Sequence, residues 1–238
     1  MRRAVTGSIA GPQAVTTGRS FDRLVNFTDA IVAVAITLLV LSLVDIRGSS
    51  DEPTVWKTIY DHSSEVIAFV LTFFVVAVMW RVHNRVFNDL RGYDTTIYRL
   101  NLLWLLGIVL LPWPSALYGE GFTGTQVEWS GGQGLGGAGM FYWGTMAWIS
   151  LMSTLISRHV RSHPELLEPD AVRAFRHPLR GVSFTVLSLL MGVTSLFAPI
   201  LASWMLLLLI PLSIVLDRAE RRVNAENAQA DGAGASPA

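Results

Sequence analysis

The 238-residue sequence contains no cysteine, which excludes disulfides, thiolate metal centres and cysteine nucleophiles. Charge is scarce as well. Only 15% of the residues are Asp, Glu, Lys or Arg, against 51% hydrophobic, and 18 basic residues face 18 acidic ones. A balanced charge gives a nucleic acid no electrostatic reason to bind, and a soluble domain normally carries about a quarter charged residues. The sequence also lacks a Walker phosphate loop, an H-E-x-x-H helix, a G-x-S-x-G elbow and a TVGYG-type filter. With them go the usual footholds for an embedded hydrolase or a pore-loop channel, so we expect neither an enzyme nor a cofactor. Residues 1–19 have arginines but no apolar stretch behind them, which reads as a disordered cytoplasmic tail and not as a cleaved leader.

What is abundant is uncharged apolar sequence, in runs long enough to cross a bilayer, which takes about 20 helical residues. We read an all-α membrane domain over 20–222 with six transmembrane helices, near 24–44, 64–83, 98–118, 140–157, 181–198 and 200–216. Pro112 and Pro114 fall at the end of the third. Nine glycines in 119–139 read as a loop without a regular element. Pro199 divides the last apolar stretch, which is too long for one span, and 223–238 reads as a second disordered tail. Basic residues test this division independently, since short cytoplasmic loops collect Lys and Arg. Sixteen of the eighteen fall on one side if both termini are cytoplasmic. A five-span arrangement would export Arg218, Arg221 and Arg222.

Asp29 is the anomalous residue, an ionisable group inside a spanning helix, and it needs a partner or water. His83 and Asn101 enter at a similar depth on the second and third helices, so a cluster of Asp29, His83 and Asn101 would satisfy the carboxylate and lock three helices together. Exposure of Asp29 to interfacial water is the alternative. A metal at Asp29 and His83 is not expected, because no second ligand lies at i+3 or i+4. His159, His163 and His177 read as solvated members of a basic loop, and His62 as an outer-loop residue beside Asp61 and Glu65. On the first helix Val34, Thr37, Leu38 and Leu41 share a face. Such a stripe packs against neighbours in most helices. Around a symmetry axis it would offer aliphatic rings that gate by dewetting and hydroxyls that replace part of a cation's hydration shell. Asp45, at the outer end of this helix, would then form a cation-attracting mouth; alternatively it is a solvated loop residue beside Arg47.

The stretch Arg23-x-x-x-Phe27-Thr28-Asp29, followed by a small and aliphatic run to Leu41, resembles the first-helix signature of the transmembrane protein 175 family of potassium channels. Trp80-x-x-His83-Asn84 resembles that family's W-x-x-H pattern, and Leu100-Asn101 through Trp104 to Leu111-Pro112-Trp113-Pro114 resembles its third helix. Thr28 stands where the family has Ser and keeps the hydroxyl. The resemblance covers about residues 20–120 and implies a homotetramer in the cell membrane, with four first helices lining a central pore for K+. It implies a hydrophobic constriction at Val34, further rings at Leu38 and Leu41, and a selectivity-linked hydroxyl at Thr37. It also assigns helix packing to Arg23, Phe27, Thr28 and Asp29. Partners on this reading are other copies of the chain, membrane lipids and K+. Two other classes stand beside it: a proton-coupled transporter using Asp29 and His83, and a non-conducting membrane scaffold whose basic loop docks a partner or anionic lipid.

Overall fold

The computed structural model describes residues 15–44, 46, 55–122, 134–169 and 179–197. Helix α1, Arg19–Leu38, continues after Leu39 and Val40 into the short α2, Leu41–Val44. Through this joint the backbone tightens to i→i+3 bonds, with Leu39 N donating to Ile36 O, Val40 N to Thr37 O and Leu43 N to Val40 O. The Ser42 hydroxyl also donates to Leu39 O at 2.8 Å. Helix α3, Val55–Asp61, leads into α4, Ser63–Asn88. Next come α5, Thr95–Leu110, and α6, Pro112–Phe122. These two are one apolar run divided at Leu111, because Pro112 has no N–H and its ring crowds the preceding turn. Helix α7, Gly134–Ser162, is followed by a 3-10 turn, Pro164–Leu166, and by α8, Leu179–Phe197.

Among the described residues three stretches are long and apolar enough to cross a membrane, Arg19–Val44, Ser63–Asn88 and Thr95–Gly119, with Gly181–Phe197 as a shorter apolar helix. At about 1.5 Å per residue α7 also exceeds the ~30 Å of hydrocarbon. The expected spans near 24–44, 64–83, 98–118 and 140–157, and that near 181–198 as far as Phe197, thus fall on helix apart from Leu39, Val40 and Leu111. The one near 200–216, Asp45, His177 and both tails beyond 14 and 197 lie outside the described residues.

The glycine-rich stretch 119–139 is not free of regular structure: α6 reaches Phe122 and α7 begins at Gly134. The reason is packing. A Cβ on Gly139 would sit 2.7 Å from Ser195 Cβ and 3.3 Å from the Tyr118 ring. The missing side chain is what lets α7 approach α8 and α6, as small residues do between membrane helices.

A membrane core gathers Val32 and Ala35 of α1, Trp104 and Ile108 of α5, Met146 and Ile149 of α7 and Met191 of α8. A second cluster closes the basic-residue end, with Leu24, Phe87, Leu90, Ile97, Ile156, Val160, Leu166 and Leu167. There Thr16–Thr17, strand β1, pairs antiparallel with Gly92–Tyr93, strand β2, in the register Thr16↔Tyr93 and Thr17↔Gly92. Gly92 is required by this ribbon, since a Cβ there would lie 2.6 Å from Thr16 O. Elsewhere the outside is apolar, with Phe74 and Val78 on α4, Leu106 on α5 and Leu189 and Val193 on α8 all exposed. That is the surface expected of a protein covered by lipid or by further subunits.

Candidate functional site

Helix α1 has two unlike edges. Leu24, Thr28, Val32, Ala35 and Leu39 follow one another at helical spacing and are buried against the rest of the chain. Val34, Thr37, Leu38 and Leu41 lie about 130° round the helix, counting 100° per residue, and are exposed: Val34 is 58% and Leu41 56% accessible. The predicted stripe is therefore not internal packing of this chain. Its hydroxyl is oriented by the backbone, because Thr37 Oγ1 donates to Val34 O at 2.7 Å. With its proton so used, the oxygen keeps its remaining lone-pair capacity for an acceptor role.

The buried edge is fastened by two hydrogen bonds to two different helices. Asn101 Nδ2 of α5 donates to Thr28 Oγ1 at 2.8 Å, with Thr28 3% and Asn101 0% exposed. Trp80 Nε1 of α4 donates to Asp29 Oδ1 at 2.7 Å. The expected Asp29–His83–Asn101 cluster is thereby divided: Asp29 is held by Trp80, while His83 and Asn101 remain polar neighbours on adjacent helices. Consecutive helix residues point about 100° apart, so Asn101 can reach Thr28 while Asp29 turns toward α4, where the indole N–H of Trp80 meets it. His83 lies beside Asn101, buried and stacked between Phe87 and Trp104 with ring centroids 4.4 and 3.9 Å away. Its Nε2 and the Asn101 Oδ1 are both buried without a hydrogen-bond partner. Arg23 and Phe27 are exposed, Phe27 by 50%.

Two polar groupings escaped the sequence reading. Thr72 Oγ1 of α4 bonds Ser115 Oγ of α6 at 2.9 Å and Tyr142 OH of α7 at 3.0 Å, in the buried middle of the bundle. Hydroxyls hidden in apolar spans give no periodic signal, but a Thr, a Ser and a Tyr on three adjacent spans at matching depth is the pattern to look for. The other grouping is ionisable. Asp94 caps α5, its Oδ1 accepting from Ile97 N at 2.8 Å, and its Oδ2 pairs with His159 Nε2 at 2.7 Å. The His163 ring lies tilted against that of His159, centroids 4.2 Å apart, and its Nδ1 bonds His159 O at 3.0 Å. The solvated-loop reading of His159 and His163 is thus overturned: α7 runs to Ser162, past the apolar stretch, because nothing breaks it before Pro164. Burial pushes the Asp94 carboxyl up, but the Ile97 N–H, the His159 bond and the two imidazoles outweigh it and hold the group below the usual carboxylate value. At the opposite end His62 Nδ1 lies 3.4 Å from Glu65 Oε1. Among the described residues no three His, Asp or Glu side chains converge as a metal site would require.

Comparison with known proteins points the same way as the α1 and α5 motifs. Residues 23–112 match the family described as "Endosomal/lysosomal potassium channel TMEM175". A potassium channel of Streptomyces collinus is 32% identical over 98 residues, 41% of this chain and 47% of that protein. The human endosomal/lysosomal proton channel TMEM175 is 25% identical over 95 residues, 40% of this chain and 19% of its own length. The match thus spans about half of the bacterial relative and a fifth of the human one. Among solved structures, a lysosomal potassium-selective channel TMEM175 homolog from Chamaesiphon minutus superposes with a TM-score of 0.54 at 25% identity, covering 80% of this chain and 98% of that one.

Proposed function

We propose, from the match of residues 23–112 to the TMEM175 family, that the chain is one subunit of a potassium-selective channel of the cell membrane. Four copies surround a central axis, and the exposed edge of α1 faces it. Val34 supplies the narrowest apolar ring, Leu38 and Leu41 the next ones, and Thr37 a ring of hydroxyl oxygens that partly replace the ion's water shell. Asp45 stands at the outer mouth, where a carboxylate ring concentrates cations. The ion moves down its own gradient, with no chemical step and no cofactor. The distribution of basic residues favours both termini in the cytoplasm. One observation carries this reading: the Val34, Thr37, Leu38 and Leu41 edge is exposed while the opposite edge of the same helix is fastened to α4 and α5.

Planar-bilayer recording tests it. Val34→Ala is expected to raise single-channel conductance, and Thr37→Val to lower discrimination between K+ and Na+. If both variants conduct and select like the parent, the pore edge is misassigned. Subunit counting in detergent should give four.

A proton pathway is the second reading, favoured by the two unpartnered buried atoms of His83 and Asn101 and by the name of the human relative. The hydrogen-bond chain does not support a relay between Asp29 and His83, since Asp29 is held by Trp80. A proton-coupled carrier would show saturating flux that needs a pH gradient. A scaffold would pass no ions in liposomes at all.

A further inference from the structure

The base of α1 is tied to the far side of the bundle through a short chain of contacts. Strand β1, just ahead of α1, is paired with β2, and Phe21 of α1 stacks between Phe87 and Tyr93 at 6.3 and 6.2 Å. Tyr93 is followed directly by Asp94, which His159 grips from the end of α7. The chain leaving α7 then returns along the same turn: Arg91 N donates to Leu166 O, Glu168 N to Asp89 O, and Arg91 Nε to Glu165 O at 2.6 Å. Asp94 and His159 are thus the ionisable joint of a collar that holds the entrance of α1.

We propose that Asp94, His159 and His163 form a latch sensitive to proton concentration on the basic-residue side of the membrane, and that its state sets how firmly the start of α1 is held. The chemistry follows from the bonds. His159 Nε2 donates to the Asp94 carboxylate and His163 Nδ1 to the His159 carbonyl, so a further proton goes to the other nitrogen of either ring. On His159 it turns a hydrogen bond already assisted by the carboxylate charge into an ion pair, adding the attraction of a second charge. On His163 it places a second charge 4.2 Å from the first ring and opposes the first. Imidazole is the side chain whose ordinary titration falls within the physiological range.

Other charged groups belong to the elements meeting here: Arg19, Asp22 and Arg23 on α1, Arg85 and Asp89 near the end of α4, Arg91 in the turn and Arg99 on α5. Arg158 and Arg161 on α7, with Glu165 and Glu168 after it, complete the set. The ion pair to Asp94 is made by His159.

Two measurements on the full chain test the latch. The first needs no current, and so stands apart from the channel reading. Amide hydrogen exchange at residues 16–17 and 91–93, corrected for the intrinsic rate, is compared between pH about 7.5 and about 6. Protection should rise by a factor of the order of three to ten on acidification, and the rise should vanish in His159→Gln and in Asp94→Asn, which keeps the cap oxygen for Ile97. The second is current in excised patches with pH changed on one face at a time. The parent should respond to pH on the basic-residue face, and His159→Gln should not. Unchanged protection in the parent, or a pH response that survives in His159→Gln, overturns the latch. Absence of current with the protection shift intact would sink the channel reading alone.

Discussion

Replacing Thr28 by Val removes a hydroxyl from a position 3% exposed and leaves Asn101 Nδ2, on a side chain with 0% exposure, without its 2.8 Å acceptor. Asn101 Oδ1 already lacks a partner, so the amide would be stranded at both ends. A buried polar group that loses its partner costs about 1–3 kcal/mol. Asn101→Leu has a different balance: it removes the unpartnered oxygen, and the Thr28 hydroxyl can turn back to its own helix backbone, so the cost is expected near the lower end. When both changes are made together the seam becomes apolar on both sides, and removing both partners can be nearly neutral. The double variant should therefore be less destabilised than the sum of the singles by about 1–2 kcal/mol. Thermal unfolding in one fixed detergent, followed by tryptophan fluorescence, reads this at about 2–4 °C per kcal/mol for a chain of this size. Additivity within about 0.5 kcal/mol would mean that this bond does not hold α1 to α5.

Further predictions follow from other contacts. Trp80→Phe removes the donor to Asp29 and should lower stability by about 1–3 kcal/mol; Asp29→Asn in that background should restore most of it, and failure to do so in the same melts would show that the carboxylate is solvated. Gly107→Val should also destabilise, because even a Cβ there lies 2.6 Å from Ile149 Cγ1 and 2.9 Å from Trp148 Cδ1, and overpacking costs about 1–3 kcal/mol. Loss of the Trp148 Nε1 bond to Leu103 O should accompany it as a shift in indole emission. Asp94 is held below the usual carboxylate value, so its stabilising contribution is present above about pH 4 and is lost as pH falls through the lower folded value. Asp94→Asn should thus melt earlier than the parent at neutral pH and converge with it in acid; a gap independent of pH would place the effect in packing.

The membrane-domain reading came directly from apolar runs and the placement of arginines, because both report on a solvent that admits no free charge. Asp29 was legible for the same reason. Its partner was not: Trp80 counts as an apolar or belt residue in any hydropathy reading, and only its position one turn before His83 on a packed α4 reveals the indole as a donor. Gly139 was misread because glycine signals flexibility along the chain and closeness across it, and at this position the second meaning won. Asp94 and His159 lie 65 residues apart, on elements whose apolar portions end short of them, so no local pattern joins the pair. The exposure of the Val34 edge also had to come from coordinates, since a Val/Thr/Leu stripe looks the same whether covered or bare.

Both fastenings of the first helix, to the indole on α4 and to the amide on α5, are made within a single polypeptide. A newly inserted monomer can therefore fix the rotational setting of that helix before meeting another copy. On the proposed channel reading, oligomerisation then joins preset edges without having to choose them. Biogenesis defects should accordingly sort into two kinds, monomers that never acquire the right rotation and correctly set monomers that fail to find one another.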